Sequence, residues 1–152
     1  MIRSAIMLFT LLLPLALTTH AATPRLIQSD KTAFVLEPVS EGLGVPWGMT
    51  FVGAQKILLS ERGGRVVLLD LERGSGIAID GAPRVVAEGQ GGLLDVAAGP
   101  GNGWIYFTYS KPVDGAAATT LARARLVGNG LRDWQDLLVT DSATGSGRHF
   151  GS

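Results

Sequence analysis

Gln90 and Gly91, in Gly89-Gln90-Gly91-Gly92, and Arg148 and His149, just before Phe150-Gly151-Ser152, are the residues whose types and spacing could do chemistry. The first pair leads into the apolar run Leu93-Leu94-Asp95-Val96-Ala97, and the second opens what reads as the start of a further strand. A glycine-rich turn entering a strand removes the Cβ atoms that keep a ligand or a neighbouring backbone away, while the strand behind it supplies a rigid base. An amide, a guanidinium and an imidazole brought to one pocket suit removal of a proton from a polar substrate near neutral pH, because imidazole is the side chain whose ordinary pKa lies nearest that range. Each residue also has a plain structural reading: Gln90 as a loop amide bonding backbone groups, Arg148 as a solvated charge, His149 as a surface or packing histidine.

A repeat is what brings these positions together. Residues 47–52, 56–61 and 65–71 are short runs rich in Leu, Val and Ile, separated by Gly53-Ala54-Gln55 and Arg62-Gly63-Gly64. Gaps that short, with glycine in them, predict an antiparallel meander. Gly74-Ser75-Gly76 reads as a further turn and 84–87 as a short fourth strand. The pattern recurs at 93–97, 104–110, 119–127 and 134–140, with glycine-bearing turns between them; Leu121 to Leu126 alternates small or apolar residues with arginine, as a strand with one wet face does. Trp47 to Val52 aligns with Gly92 to Ala97 at an offset of 45, and Phe150-Gly151-Ser152 with Trp47-Gly48-Met49 at an offset of 103. A four-stranded unit recurring at roughly 40–50 residues is the signature of a β-propeller blade. A two-sheet sandwich, with short strands at similar spacing, is the alternative.

In a propeller the innermost strand of each blade is entered from one face, so Pro46, Gln90-Gly91 and Arg148-His149 occupy equivalent places around the channel mouth. The expected organisation is all-β: a lead-in over 22–40, mobile at 22–31 and extended at 33–39, then a partial propeller over 41–152. Blade one covers about 46–87, blade two about 90–140, and a third begins at 148–152. A ring needs at least four blades to close, so the sequence reads as the N-terminal part of a longer protein. Asp95 is expected to be structural, accepting hydrogen bonds from a neighbouring loop. Glu61, Arg62 and Arg65 read as exposed turn charges, and Trp47, Trp104 and Trp134 as wedges between blades, with Trp47 within reach of the mouth.

Composition narrows the function classes. The 152 residues balance 13 Lys+Arg against 13 Asp+Glu, and no positive excess argues for a nucleic-acid partner. The absence of Cys removes thiolate metal sites and cysteine nucleophiles. Met1-Ile2-Arg3, the apolar run from Ile6 to Leu17 and Thr19-His20-Ala21 form a signal peptide over 1–21, which predicts export to a bacterial periplasm and no stable membrane span after cleavage. Cleavage also removes His20, leaving His149 as the histidine of the mature chain, so no metal site is assigned. No phosphate loop or nucleophile elbow appears, and Gly145-Ser146-Gly147 lacks the context of one.

Pro46 to Val52 (PWGMTFV), Ser60 to Val66 (SERGGRV), Gly89 to Ala97 (GQGGLLDVA), Trp104 to Ser110 (WIYFTYS), Leu121 to Leu126 (LARARL) and Arg148 to Ser152 (RHFGS) fall in the order and spacing of a known family. Over about Glu41 to Ser152 the chain resembles the soluble aldose sugar dehydrogenases of the glucose/sorbosone dehydrogenase family, quinoproteins that depend on pyrroloquinoline quinone (PQQ). The resemblance implies a six-bladed propeller with PQQ at the channel mouth, calcium holding and polarising it, and an external electron acceptor. By position, His149 matches the general base that takes the proton of the anomeric hydroxyl of an aldose while hydride passes from C1 to the quinone, giving a lactone. Gln90 matches the pocket glutamine beside substrate and cofactor, with its glycine Gly91. Arg148 departs from the pattern: the glucose-specific branch has an acidic residue there, so the resemblance points to the broader aldose branch. The family's quinone and calcium ligands come from later blades, so the 152 residues by themselves are expected neither to bind PQQ nor to oxidise sugars.

Two other functions fit the same rim: a non-catalytic propeller that binds a carbohydrate or a protein partner, and a calcium-dependent propeller lactonase. Residues at the mouths of later blades distinguish them, basic and amide side chains favouring the quinone and a carboxylate-rich mouth the lactonase.

Overall fold

The computed structural model describes residues 23–151, so the signal sequence expected at 1–21 lies outside the described residues. These fall in two compact units, one ending at Pro38 and one beginning at Val39. Among the described residues all ten named elements are strands, and no helix is long and apolar enough to cross a membrane.

The first unit is a hairpin of β1 (Arg25–Gln28) and β2 (Ala33–Leu36), paired antiparallel from Arg25 opposite Leu36 to Gln28 opposite Ala33. Within the lead-in expected at 22–31, Arg25–Gln28 is therefore a paired strand. Ser29 makes the turn: its hydroxyl donates to Thr32 O at 2.8 Å and accepts the Thr32 N–H at 3.2 Å. Such local side-chain bonding lets a serine close a short turn without glycine.

The second unit holds two four-stranded antiparallel meanders. One runs β3 (Pro46–Gly53), β4 (Lys56–Glu61), β5 (Val66–Asp70) and β6 (Ser75–Ile79); the other runs β7 (Leu93–Ala98), β8 (Trp104–Val113), β9 (Ala116–Val127) and β10 (Gly130–Val139). The predicted fourth strand at 84–87 is replaced by β6. Asp70 Oδ1 accepts the N–H groups of Glu72 and Arg73, both at 3.1 Å, so the chain has turned by Gly74 and Ser75-Gly76 already pairs with β5. The second hairpin is longer than expected, β9 starting at Ala116, because Asp114 (φ 44°) and Gly115 (φ 79°) make a two-residue turn that keeps Val113 opposite Ala116.

Leu58, Val66, Leu68 and Ile79 of the first sheet form one buried cluster with Leu93, Val96, Ile105, Phe107, Tyr109, Ala122, Ala124 and Leu131 of the second. Trp134 packs on this cluster with its ring 5.0 Å from Phe107 and 5.8 Å from Tyr109, both of its own blade. Trp104 instead lies on the wet face, with Arg123 and Arg125 each 4.1 Å from its ring, which accounts for the alternation of alanine and arginine in β9. Trp47 is exposed, with Met49 and Phe51 two and four residues on along β3.

The innermost strands β3 and β7 lie side by side. At the outer ends the Leu131 N–H donates to Asp80 O at 2.7 Å. Both sheets therefore run from inner to outer strand in the same sense, and they are two successive blades of a β-propeller. Buried Ser60 staples them: its hydroxyl accepts the Gly48 N–H of β3 at 3.0 Å and donates to the Leu94 carbonyl of β7.

Candidate functional site

The connectors that return the chain from each outer strand to the next inner strand meet at Gln90. Its N–H donates to Gly147 O at 2.8 Å, and its side-chain Oε1 accepts the His149 N–H at 2.9 Å. Two glycines allow this crossing. Gly89 adopts φ 54°, and a Cβ there would collide with the Gly147 carbonyl oxygen; Gly92 adopts φ 149°, and a Cβ there would collide with the Arg62 carbonyl oxygen. Gly91 is buried and donates its N–H to Glu88 O at 2.8 Å, so its part in the site is to shape the turn beneath Gln90.

The structure thus brings Gln90 and His149 together and leaves both exposed. His149 sits in the left-handed region at φ 66°, a conformation that a side-chain-bearing residue keeps only when its neighbours hold it there. Arg148 is exposed and makes no hydrogen bond or ion pair among the described residues. With Oε1 engaged by His149, the Gln90 amide NH2 remains a donor at the rim, and with Arg148 it gives two donor groups and an imidazole. Among the described residues no three His, Asp or Glu side chains converge closely enough to hold a metal ion. A hollow of about 330 Å³ lies alongside, bordered by Val86, Glu88, Asp114, Gly147 and Phe150, but neither Gln90 nor His149 lines it.

Of the three charged residues expected as exposed turn charges, Glu61 and Arg62 are placed differently. Glu61 is buried; it takes Arg65 at 2.6 Å on each oxygen and accepts the Gly44 N–H at 2.9 Å. The Arg65 hydrogen bond holds its carboxyl below the usual glutamate range, against burial, which raises it. Arg65 itself is exposed at the other end of that pair. Arg62, half-buried, donates its Nη1 to Gly89 O at 2.7 Å and is therefore a support of the glycine loop. Asp95 is exposed, and its Oδ1 accepts the adjacent Val96 N–H at 2.8 Å rather than bonding a neighbouring loop; the register shift in β7 between Leu93 and Val96, both in the shared core, leaves Asp95 outside it.

The Glucose / Sorbosone dehydrogenase family matches residues 43–152 of the chain. The chain belongs to that family. The aldose sugar dehydrogenase YliI of Escherichia coli (strain K12) is 30% identical over 123 residues, 76% of this chain and 33% of the relative. A crystal structure of a glucose dehydrogenase superposes with a TM-score of 0.71 at 33% identity, covering 76% of this chain and 36% of that one. The PQQ-bound form of an aldose sugar dehydrogenase from Streptomyces coelicolor shares the fold, with a TM-score of 0.60 at 23% identity over 69% of this chain and 33% of that one. The chain spans about a third of the length of the curated relatives it matches, 34% and 33%.

Within this glucose/sorbosone dehydrogenase unit, two kinds of residue escaped the sequence reading. Ser60 and Ser110 are polar residues in the second strands of the two blades. Ser110 is buried and accepts the Gly92 N–H at 2.6 Å while donating to Val86 O at 2.7 Å. Each serine pairs with a glycine of its blade's inner-strand entry, Gly48 and Gly92, but the offset of 45 sets Gly48 over Leu93, so the aligned repeat did not signal it. Arg62 gave no signal, since an arginine in a glycine turn looks the same whether it reaches solvent or a carbonyl.

Proposed function

We propose that this chain supplies the channel mouth and the general base of an exported dehydrogenase that oxidises the anomeric C1 hydroxyl of aldoses to lactones. When bound, PQQ would supply the hydride acceptor for C1. His149 takes the hydroxyl proton as the C1–H bond breaks, the C1–O bond becomes the lactone carbonyl, and the two electrons leave to an external acceptor. The observation that carries the reading is the His149 N–H bond to Gln90 Oε1 at 2.9 Å. It joins the residue with proton-transfer chemistry to an amide whose NH2 is left to donate toward substrate or quinone oxygens.

The donor chemistry present fits an anionic quinone. The Arg148 guanidinium, unpaired among the described residues, suits a carboxylate, and the Gln90 amide suits a carbonyl or hydroxyl oxygen. The described side chains do not fit a calcium seat. Arg148, where a glucose-specific site would carry an acid, supports a broad aldose range. Export to a bacterial periplasm rests on residues 1–21. The 152 residues alone are expected to be inactive, since the chain spans a third of its relatives' length.

The test is oxidation of glucose and other aldoses by the full-length protein with PQQ, calcium and an artificial electron acceptor. Acceptor reduction with lactone formation is expected. No turnover on any aldose would contradict the proposal.

A further inference from the structure

We infer that Arg62 is a positioning residue for the proposed proton transfer, acting on His149 through the Gly89-Gln90 loop; the inference rests on the reading of His149 as the base. Arg62 stands in blade one, at the turn after β4, is anchored to the residue before β3 and holds the entry to blade two at two points. Its N–H donates to Val45 O at 2.9 Å, its carbonyl accepts the Leu93 N–H at 3.0 Å, and its Nη1 donates to Gly89 O at 2.7 Å. Its aliphatic stem lies against Gly92, where a Cβ would meet Arg62 Cγ at 2.6 Å. The peptide unit between Gly89 and Gln90 is thereby held on both sides, its carbonyl by Arg62 and its N–H by Gly147 O. From that fixed peptide the Gln90 side chain reaches the His149 N–H and supports a backbone at φ 66°.

The charge of Arg62 is available for this because its neighbour Glu61 is already paired with Arg65. A guanidinium on a carbonyl is a charge-assisted bond, stronger and more directional than a neutral one. Releasing it frees the Gly89 carbonyl and lets the amide and the imidazole drift, and misplacement of a reacting group by about 1 Å can cost up to ~100-fold in rate.

Arg62→Met in the full-length protein tests this, because methionine keeps the stem over Gly92 and removes the Nη1 donor. On glucose with PQQ and an artificial acceptor, kcat should fall about tenfold with little change in KM. Arg62→Lys should recover most of the loss, and in a Gln90→Ala background Arg62→Met should cost less than about twofold, since both act through one loop. Should Arg62→Met not fold, as judged by its melting curve, Arg62→Leu carries the same test, since it also lacks a donor. A kcat within about twofold of wild type, with His149→Ala inactive, would overturn the role of Arg62 and leave the base assignment standing. A loss that is undiminished in the Gln90→Ala background would also overturn it. A fully active His149→Ala would remove the base itself, and the inference with it.

Discussion

The backbone N–H of His149 donates to the side-chain carbonyl of Gln90 at 2.9 Å, although 59 residues separate them in the chain. The bond fixes which end of the amide faces the rim. Gln90→Glu keeps an acceptor for His149 but removes the NH2 donor, whereas Gln90→Leu removes both. Glutamate is therefore expected to preserve the melting temperature and raise KM for aldoses. Leucine is expected to lower kcat as well and to destabilise the loop by about 1 kcal/mol, the usual worth of one hydrogen bond. Steady-state kinetics with parallel melts of the two variants check this.

Gly89→Ala places a Cβ against the Gly147 carbonyl oxygen and forces alanine to φ 54°. A loss of about 1–3 kcal/mol in unfolding free energy is expected. Gly63→Ala, at a glycine with open space around it, is the control and should stay within about 0.5 kcal/mol of wild type. Urea denaturation of both variants measures the difference.

Ser60→Ala removes the hydroxyl that joins Gly48 to the Leu94 carbonyl between blades and leaves the half-buried Gly48 N–H and the buried Leu94 carbonyl with one partner fewer. A cost of about 1–3 kcal/mol is expected. Hydrogen exchange should rise at Gly48 while the amides of β9 stay protected. Unchanged protection at Gly48 would mean that the staple is dispensable.

Two carboxylates predict the acid limb of stability. Glu61 is held low by its hydrogen bonds from Arg65, against burial. For Asp136, burial raises the pKa, but bonds from Lys111 at 2.7 Å, Tyr109 at 2.8 Å and Trp134 at 3.1 Å outweigh it and leave the group lowered. Because both folded values lie below the unfolded ones, their contribution is complete above the ordinary carboxylate range and is lost as pH falls through the folded values. Glu61→Gln and Asp136→Asn should each lower stability at neutral pH and flatten its decline in acid, measured as melting temperature against pH.

The strand runs, the meander order and the inner-strand repeat were legible because glycine-bearing turns and alternating apolar residues report local geometry directly. The meeting of Gln90 with His149 was legible as a position, from the offset of the repeat. Its bond was not, since a side chain reaching a backbone N–H leaves no periodicity. The error at 84–87 has a physical cause: Asp70 closes the turn with its own side chain before Gly74, so Ser75-Gly76, which reads as turn, already pairs with β5. Arg62, Glu61 and Arg65 sit in one short stretch, and only the paths of Gly44 and Gly89 beside it decide which charge is buried, paired or aimed at a carbonyl.

Replacement of His149 by alanine in the full-length protein, assayed for glucose turnover with PQQ and an artificial acceptor, tests the central claim most directly. A fall of about two to four orders of magnitude in kcat, with folding intact, is the predicted result for loss of a general base. Turnover close to wild type would contradict it.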